Sequence, residues 1–413
     1  MNKDSLPVEA WKTWQEFNRV VLGKKVIFFG VSDDWAEKTI KKGVMELAYF
    51  VDNSPTWIGS SFMGIEVKDP NSLDKFRGGE IYVVITSGSY ESIYPQLLEY
   101  GLKPGADFCV SPAMNNLKVV SDVHMHEALL LISSPDHKIY SNLDKDEEIG
   151  GGLFTYNIKT QKCKKVLDGT FHQIVDTGKE YYVADEKRGA CRISKDFRML
   201  ETFGIEAGDK SHGIAFCPQR RLVFIAKTGR DMISAYDTST KKKCFDINLS
   251  DKFNKTGKPG HWINDICVRD DYLYASLFSH SGTYTEGIYD GGILQIEIEN
   301  HEKRQILIRD LWMPHTVRFF DSEICFLDSM NGYFYKTDKN ISGEFFGFIR
   351  GLAYDGSYYY IGQSETRYFD RLKGIRKNIG MSAGFYLFDE ETKAAKFFIV
   401  PKVRQVRDLC IIN

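Results

Sequence analysis

The chain has 413 residues, too many for one ordinary hydrophobic core, so two or three domains are expected. Its 54 basic and 56 acidic residues nearly cancel, and no polybasic block stands out. That argues against nucleic acid or an anionic membrane surface as a partner. No stretch approaches the roughly eighteen apolar residues of a membrane-spanning helix, and residues 1–10 carry no apolar core of signal-peptide length. The eight cysteines are scattered without a CxxC pair, which reads as reduced thiols buried in strands. The expected location is a bacterial-type cytoplasm, without membrane insertion.

In chain order, residues 7–22 place Val8, Trp11, Trp14, Phe17 and Val21 at helical spacing before Gly23, predicting an amphipathic helix. The apolar run Lys25-Val-Ile-Phe-Phe-Gly30 predicts a buried parallel strand. A helix-compatible stretch follows over 34–42, then strands over 47–51 and 81–86 and an amphipathic helix over 90–100. This alternation predicts a parallel sheet with right-handed crossovers in a first α/β domain, residues 1–118.

The order strand-Gly30, Val51-Asp52-Asn53, Gly64-Ile-Glu-Val67 and Val83-Val-Ile-Thr86 resembles the Rossmann-like domain of bacterial surface-sugar and polysaccharide-biosynthesis enzymes. The resemblance covers about residues 24–110 and implies a nucleotide-sugar ligand, with Gly30 and Asp52 as its binding residues. Asp52 follows Gly30 by about 20 positions, the spacing of a ribose-holding acid. The turn Val31-Ser-Asp-Asp-Trp35 lacks the further glycines of a dinucleotide loop, and Asp33 and Asp34 would repel pyrophosphate. NAD(P) is therefore not expected, and a docking module without a ligand is the alternative.

From residue 119 to 413 helical periodicity gives way to short strands recurring at roughly 35 to 50 residues, the mark of a β-propeller. Five segments superimpose, starting at His172, His212, Asn264, His315 and Arg350. Each runs polar residue, spacer, aliphatic residue, tight turn, β-rich strand. A sixth begins at Arg407 with no partner strand after it, and its remainder lies upstream, at 129–133, 153–158 and 163–167. The fold expected is six-bladed and closed by the C-terminal strand, which removes exposed sheet edges. Turns between first and second strands are short. The opposite face receives the long connections 142–152, 250–260, 279–291 and 363–383.

The first residues of the inner strands open on that long-loop face, so His172, His212, Asn264, His315, Arg350 and Arg407 should form one polar ring. Two chemistries fit it. Neutral imidazoles of His172, His212 and His315 suit a divalent metal, Zn²⁺ or Mn²⁺, as in the metal-holding six-bladed propeller enzymes whose blades resemble these. The guanidiniums of Arg350 and Arg407 suit a carboxylate or phosphate. Asp328 is a candidate catalytic acid or base, and Asp185, Lys227 and Gln363 end second strands nearby. His261 lies on an incoming loop that could reach the mouth, and His280, Glu286, Glu365, Arg367 and Tyr368 are candidates for a lid.

The last hundred or so residues, with Met313-Pro-His-Thr-Val317, Ile361-Gly-Gln-Ser-Glu365 and Val406-Arg-Asp-Leu409, resemble a bacterial propeller family of unassigned function. Two functions follow as expectations. One is a lyase, isomerase or hydrolase of sugar or surface-polysaccharide metabolism, acting on a sugar or acidic small molecule at the channel mouth. The other is a non-catalytic module that binds a sugar or a protein partner. Neither a Gly-x-Ser-x-Gly elbow nor a P-loop is present, which disfavours serine and nucleotide hydrolysis.

Overall fold

The computed structural model describes residues 6–76, 81–136, 150–337, 339–372, 374 and 376–412. The chain divides into two compact units, Met1–Met125 and His126–Asn413.

The first unit is a parallel-sheet domain with a few helices. Its strands lie in the spatial order Ser61–Phe62, Ile65–Lys68, Glu46–Val51, Lys25–Phe29, Ile81–Ile85, Phe108–Val110. All neighbours pair in parallel except the Ser61–Phe62/Ile65–Lys68 hairpin. Central strands Lys25–Phe29 and Ile81–Ile85 are apolar almost throughout because both faces of the sheet are covered. The first helix is shorter than the periodicity predicts. A 3₁₀ turn spans Val8–Ala10, and the α-helix starts only at Trp14 and runs to Val21. The reason is a capping box: Thr13 Oγ1 accepts from the Glu16 N–H while the Glu16 carboxylate accepts from the Thr13 N–H. A helix over Asn115–Met125, within the stretch expected to turn to strands, closes the unit.

The second unit is a six-bladed β-propeller of six four-stranded antiparallel sheets. Its inner strands are Phe171–Asp176, Ser211–Cys217, Ile263–Arg269, Pro314–Phe320, Phe348–Tyr354 and Asp408–Ile412. Each packs against the next, and the last packs against the first. The C-terminal strand Asp408–Ile412 pairs with Leu129–Ser134, placing Leu409 opposite Ile132. Apolar side chains fill the space between blades, as where Tyr182 and Ala184 meet Ile214, Val223 and Ile225 of the next blade. Each of the isoleucines and the valine contributes roughly 1.5–3 kcal/mol on burial. No helix among the described residues is long and apolar enough to cross a membrane.

In five inner strands the antiparallel register slips close to the predicted ring residue. The slips fall between Phe171 and Ile174, Ser211 and Gly213, Ile263 and Ile266, His315 and Val317, and Ile349 and Leu352. A bulge leaves backbone N–H groups outside the ladder and re-aims a side chain. The freed N–H groups are taken up by the residues that follow the ring positions. Gln173 Oε1 accepts from the N–H of Ile214 and of Ile266, and Asp265 Oδ2 accepts from Thr316 N–H. Thr316 Oγ1 accepts from Gly351 N–H, and Asp408 Oδ2 from Ile174 N–H. These residues form a polar belt stitching neighbouring blades, each bond worth about 1 kcal/mol net. Gly351 is forced by the same crowding: it sits at φ +71°, and an added Cβ would lie 2.7 Å from Asp408 Cα.

Candidate functional site

All six predicted ring residues line one cavity of about 200 Å³. His172, His212, Asn264 and His315 are the second residues of their inner strands, Arg350 is the third of its strand, and Arg407 immediately precedes the last one, so five of the six sit at or beside a bulge. A second device recurs at the entry to three strands. Lys210, Trp262 and Met313 stand two residues before His212, Asn264 and His315, all in the left-handed region, at φ +47°, +53° and +53°. Such backbone is costly for these residues and is kept where the surroundings over-determine it.

Arg407 organises one side of the cavity. It is 1% exposed; its Nε donates to His172 Nδ1 at 3.0 Å and its Nη2 to Asn264 Oδ1 at 3.0 Å. The same Nη2 lies 3.3 Å from Asp265 Oδ1, while Nη1 has no hydrogen-bond partner among the described residues. Arg350 is 5% exposed and packs over the Phe348 ring, 4.5 Å from its centroid. Its Nη1 donates to Gln405 Oε1 at 3.0 Å, its Nε is buried without a partner among the described residues, and no described carboxylate lies within ion-pair distance. Gln405 is held in turn by Asp136, whose carboxylate accepts from the Gln405 backbone and side-chain N–H groups. Burial, then the guanidiniums of Arg407 and Arg367, pull the Arg350 pKa well below the usual value. A buried cation without a counter-ion is expensive.

The three imidazoles are placed differently from one another. His172 and His212 stack at 4.1 Å between centroids. His172 Nε2 is 3.8 Å from Glu186 Oε2, and His212 Nδ1 is 3.4 Å from Asn264 Oδ1. His315 is wedged edge-on between the rings of Phe278 and Phe348. Its Nδ1 is turned to Ser329 Oγ at 2.8 Å and to the Met313 carbonyl at 3.1 Å. Burial first, then neighbouring positive charge, holds His212 and His315 well below the ordinary histidine pKa. Both rings are therefore neutral at neutral pH.

The carboxylate–imidazole cluster that could hold a metal is His172, Glu186 and His212, with ligand atoms within 4.8 Å of one another. It does not include His315, neither of whose ring nitrogens joins the others within that distance. Glu186 was not legible as part of the ring, because it follows the second strand of its blade rather than opening the first. Pro135, Lys210, Trp262, Phe278 and Gln405 complete the lining along with Arg367 and Tyr368, two of the five lid residues. The lining thus carries Lys210, Arg350, Arg367 and Arg407 against the single carboxylate of Glu186.

Asp328 is a correction: it does not line this cavity. Its oxygens accept from Trp312 N–H and Asn331 Nδ2, bracing the loops at that blade's end, and burial pushes its pKa up to about 6. The other second-strand ends are spent in similar ways. Asp185 accepts from three backbone N–H groups and pairs with Arg188, Lys227 pairs with Asp209, and Gln363 binds Ser382 and Tyr386. His261 bonds to Ser279 O and Ser250 Oγ and lines a separate cavity with His280. Glu286 and Glu365 stand outside the ring lining. Of the loop 142–152, residues 142–149 lie outside the described residues.

In the first unit, Gly30 sits at φ +102°, and an added Cβ would lie 2.3 Å from Ser87 Cβ, so the glycine is required for packing. Asp52 Oδ2 accepts from Val31 N–H at 2.9 Å and Oδ1 from Ser54 N–H at 2.8 Å. It ties the glycine turn to the neighbouring strand end.

Fold and site together define a six-bladed β-propeller with a cationic, histidine-lined channel mouth, carried on a chain with a separate parallel-sheet domain. Residues 262–406 match a family model described as a domain of unknown function (DUF4915). That stretch holds Asn264, His315 and Arg350 and leaves His172, His212 and Arg407 outside. No curated protein matches the chain significantly. Among solved structures the chain is similar to one from a nidogen/laminin complex, at 14% identity and TM-score 0.48, covering 69% of this chain and 98% of that one. It is also similar to a protein of unknown function from Bacteroides caccae, at 15% identity and TM-score 0.47, covering 70% and 99%. A streptogramin B lyase aligns at 11% identity and TM-score 0.41, covering 68% and 89%. At such identities the likeness concerns the fold alone.

Proposed function

We propose that the propeller's channel mouth binds an acidic small molecule, a sugar acid or phosphorylated sugar, and acts on it as an enzyme of lyase or isomerase type in sugar metabolism. One observation carries this: Arg350 Nε and Arg407 Nη1 are buried N–H donors without partners among the described residues, on two side chains that line a strongly cationic cavity. A carboxylate or phosphate in the cavity would supply the counter-ion that Arg350 lacks.

The second reading puts Zn²⁺ or Mn²⁺ on His172, Glu186 and His212, favoured by their clustered ligand atoms. Proton bookkeeping weighs against it. Arg407 Nε–H donates to His172 Nδ1, so the proton of the neutral ring sits on Nε2, which then has no lone pair for a metal. A nucleotide-sugar at Gly30 and Asp52, as in surface-polysaccharide enzymes, is supported less well, since each Asp52 oxygen already accepts a backbone N–H.

Calorimetry and thermal shift with D-glucuronate, citrate and inorganic phosphate test the proposal, with glucose and ZnCl₂ as contrasts. The anions should raise the Tm of the wild type. Arg350→Lys should weaken them by about tenfold, since a point charge cannot replace a planar fork. Arg350→Gln should abolish binding while leaving the ligand-free protein as stable or more so. Anions without effect on the wild type, or unaffected by Arg350→Gln, would overturn the reading. Binding without turnover of any anion would leave a non-catalytic platform.

A further inference from the structure

The imidazoles differ in which nitrogen carries the proton, and their neighbours decide it. A carbonyl oxygen can only accept, so His315 Nδ1, 3.1 Å from the Met313 carbonyl, carries the ring proton and shares it with Ser329 Oγ. The lone pair is therefore on Nε2, at the opposite edge of a ring that lines the cavity. No described residue donates to that atom. Edge-on packing by Phe278 and Phe348 fixes the ring's orientation. Phe348 also carries Arg350 on its face, so the same aromatic side chain positions the lone pair and a guanidinium. His172 has the reverse arrangement, with its proton on Nε2.

We infer that His315 is a general base that takes the proton from the carbon next to the carboxylate of an acid held by Arg350 and Arg407. This rests on the anion-binding reading of the same cavity. The C–H bond breaks, the proton moves to His315 Nε2, and the bonding pair moves toward the carboxylate as an enediolate. The two guanidiniums stabilise the second negative charge there. Return of the proton from His315 to the same face gives exchange alone, and delivery of a proton to the opposite face of that carbon completes an epimerisation. Loss of an oxygen substituent from the next carbon, with its bonding pair and a proton, completes an elimination. His172, Glu186, Lys210, His212, Arg367 and Tyr368 are the other titratable groups lining the cavity, with the amides of Asn264 and Gln405. His212 stands looser, 3.4 Å from its amide partner, and Ser329 and the Met313 carbonyl act as positioning groups for His315.

The experiment uses the full chain with D-glucuronate and D-galacturonate in D₂O. Solvent exchange of the hydrogen next to the carboxylate is followed by proton NMR, and binding by calorimetry. Wild-type protein should exchange that hydrogen. His315→Gln should slow the exchange on the order of a hundredfold and keep affinity within about threefold, whereas Arg350→Gln loses both. Wild-type binding without exchange, or exchange undiminished in His315→Gln, overturns this inference and leaves the anion site standing. Absence of binding by the wild type overturns both. Nitrogen-15 spectra of the imidazoles give a reading that needs no substrate and no variant. His315 should be neutral at pH 7 with its proton on Nδ1, and a proton on Nε2 would overturn the assignment.

Discussion

The glycine turn of the first unit and the channel mouth of the second both read from the sequence as binding sites, and the structure treats their polar groups in opposite ways. At Gly30 the marker residue is consumed by the fold, since Asp52 uses one oxygen on Val31 N–H and the other on Ser54 N–H. At the channel mouth the fold leaves capacity over: Arg350 Nε and Arg407 Nη1 point N–H groups at no described partner. A spacing motif therefore locates a turn, while hydrogen-bonding capacity left unused after folding locates a site.

Substitutions can break or sharpen that contrast. The largest effect is expected from Arg407→Ala, because it strips His172, Asn264 and the buried Asp265 of a donor and leaves a carboxylate uncompensated. Urea unfolding should register about 3–5 kcal/mol, whereas a loss under about 1 kcal/mol would mean that Arg407 is as free as Arg350.

Acidification comes next. Folded His212 and His315 resist protonation, so the unfolded chain takes up protons first as pH drops below the ordinary value of 6.5. Their contribution is intact above that pH and is lost on acidification, at up to about 1.4 kcal/mol per pH unit per histidine. Asp408 and Asp328, both pushed up to about 6 by burial, act in the other direction and lose stability as pH rises through that value. The informative quantity is thus the difference between wild type and His315→Gln, which should shrink from pH 7 to pH 5; a parallel pair of curves would contradict the neutral ring. The smallest effect belongs to Asp52→Ala. It should cost about 1 kcal/mol by thermal unfolding and leave anion affinity at the propeller unchanged.

Much of the propeller was legible because each blade repeats a polar residue, a spacer and an aliphatic residue at one register, and that register places all six ring residues on one cavity. The spacers were opaque. Gln173, Asp265, Thr316 and Asp408 look like filler in a single repeat, yet each bonds to the N–H of a different blade, information that no local pattern holds. Asp328 was misplaced for a related reason: its position at a strand end is visible in sequence, whereas its capture by Trp312 N–H and Asn331 is not. Glu186 and Gln405 reach the cavity from connections whose paths only the tertiary structure sets. The recurrent left-handed residue two before His212, Asn264 and His315 is a regularity that sequence could in principle reveal, but its side chains, Lys210, Trp262 and Met313, share no chemistry.

The bond between Arg407 and His172 joins residues 235 positions apart, and this sets when in the life of the molecule the pocket comes into being. Contacts so distant along the chain are late events in folding. A polypeptide halted anywhere short of Arg407 can assemble blades and still hold its imidazoles in the wrong protonation pattern, because the guanidinium that dictates the His172 tautomer has not arrived. Such a chain also lacks Asp408–Ile412, the strand that pairs with Leu129–Ser134, so the pocket and the closed ring arrive together.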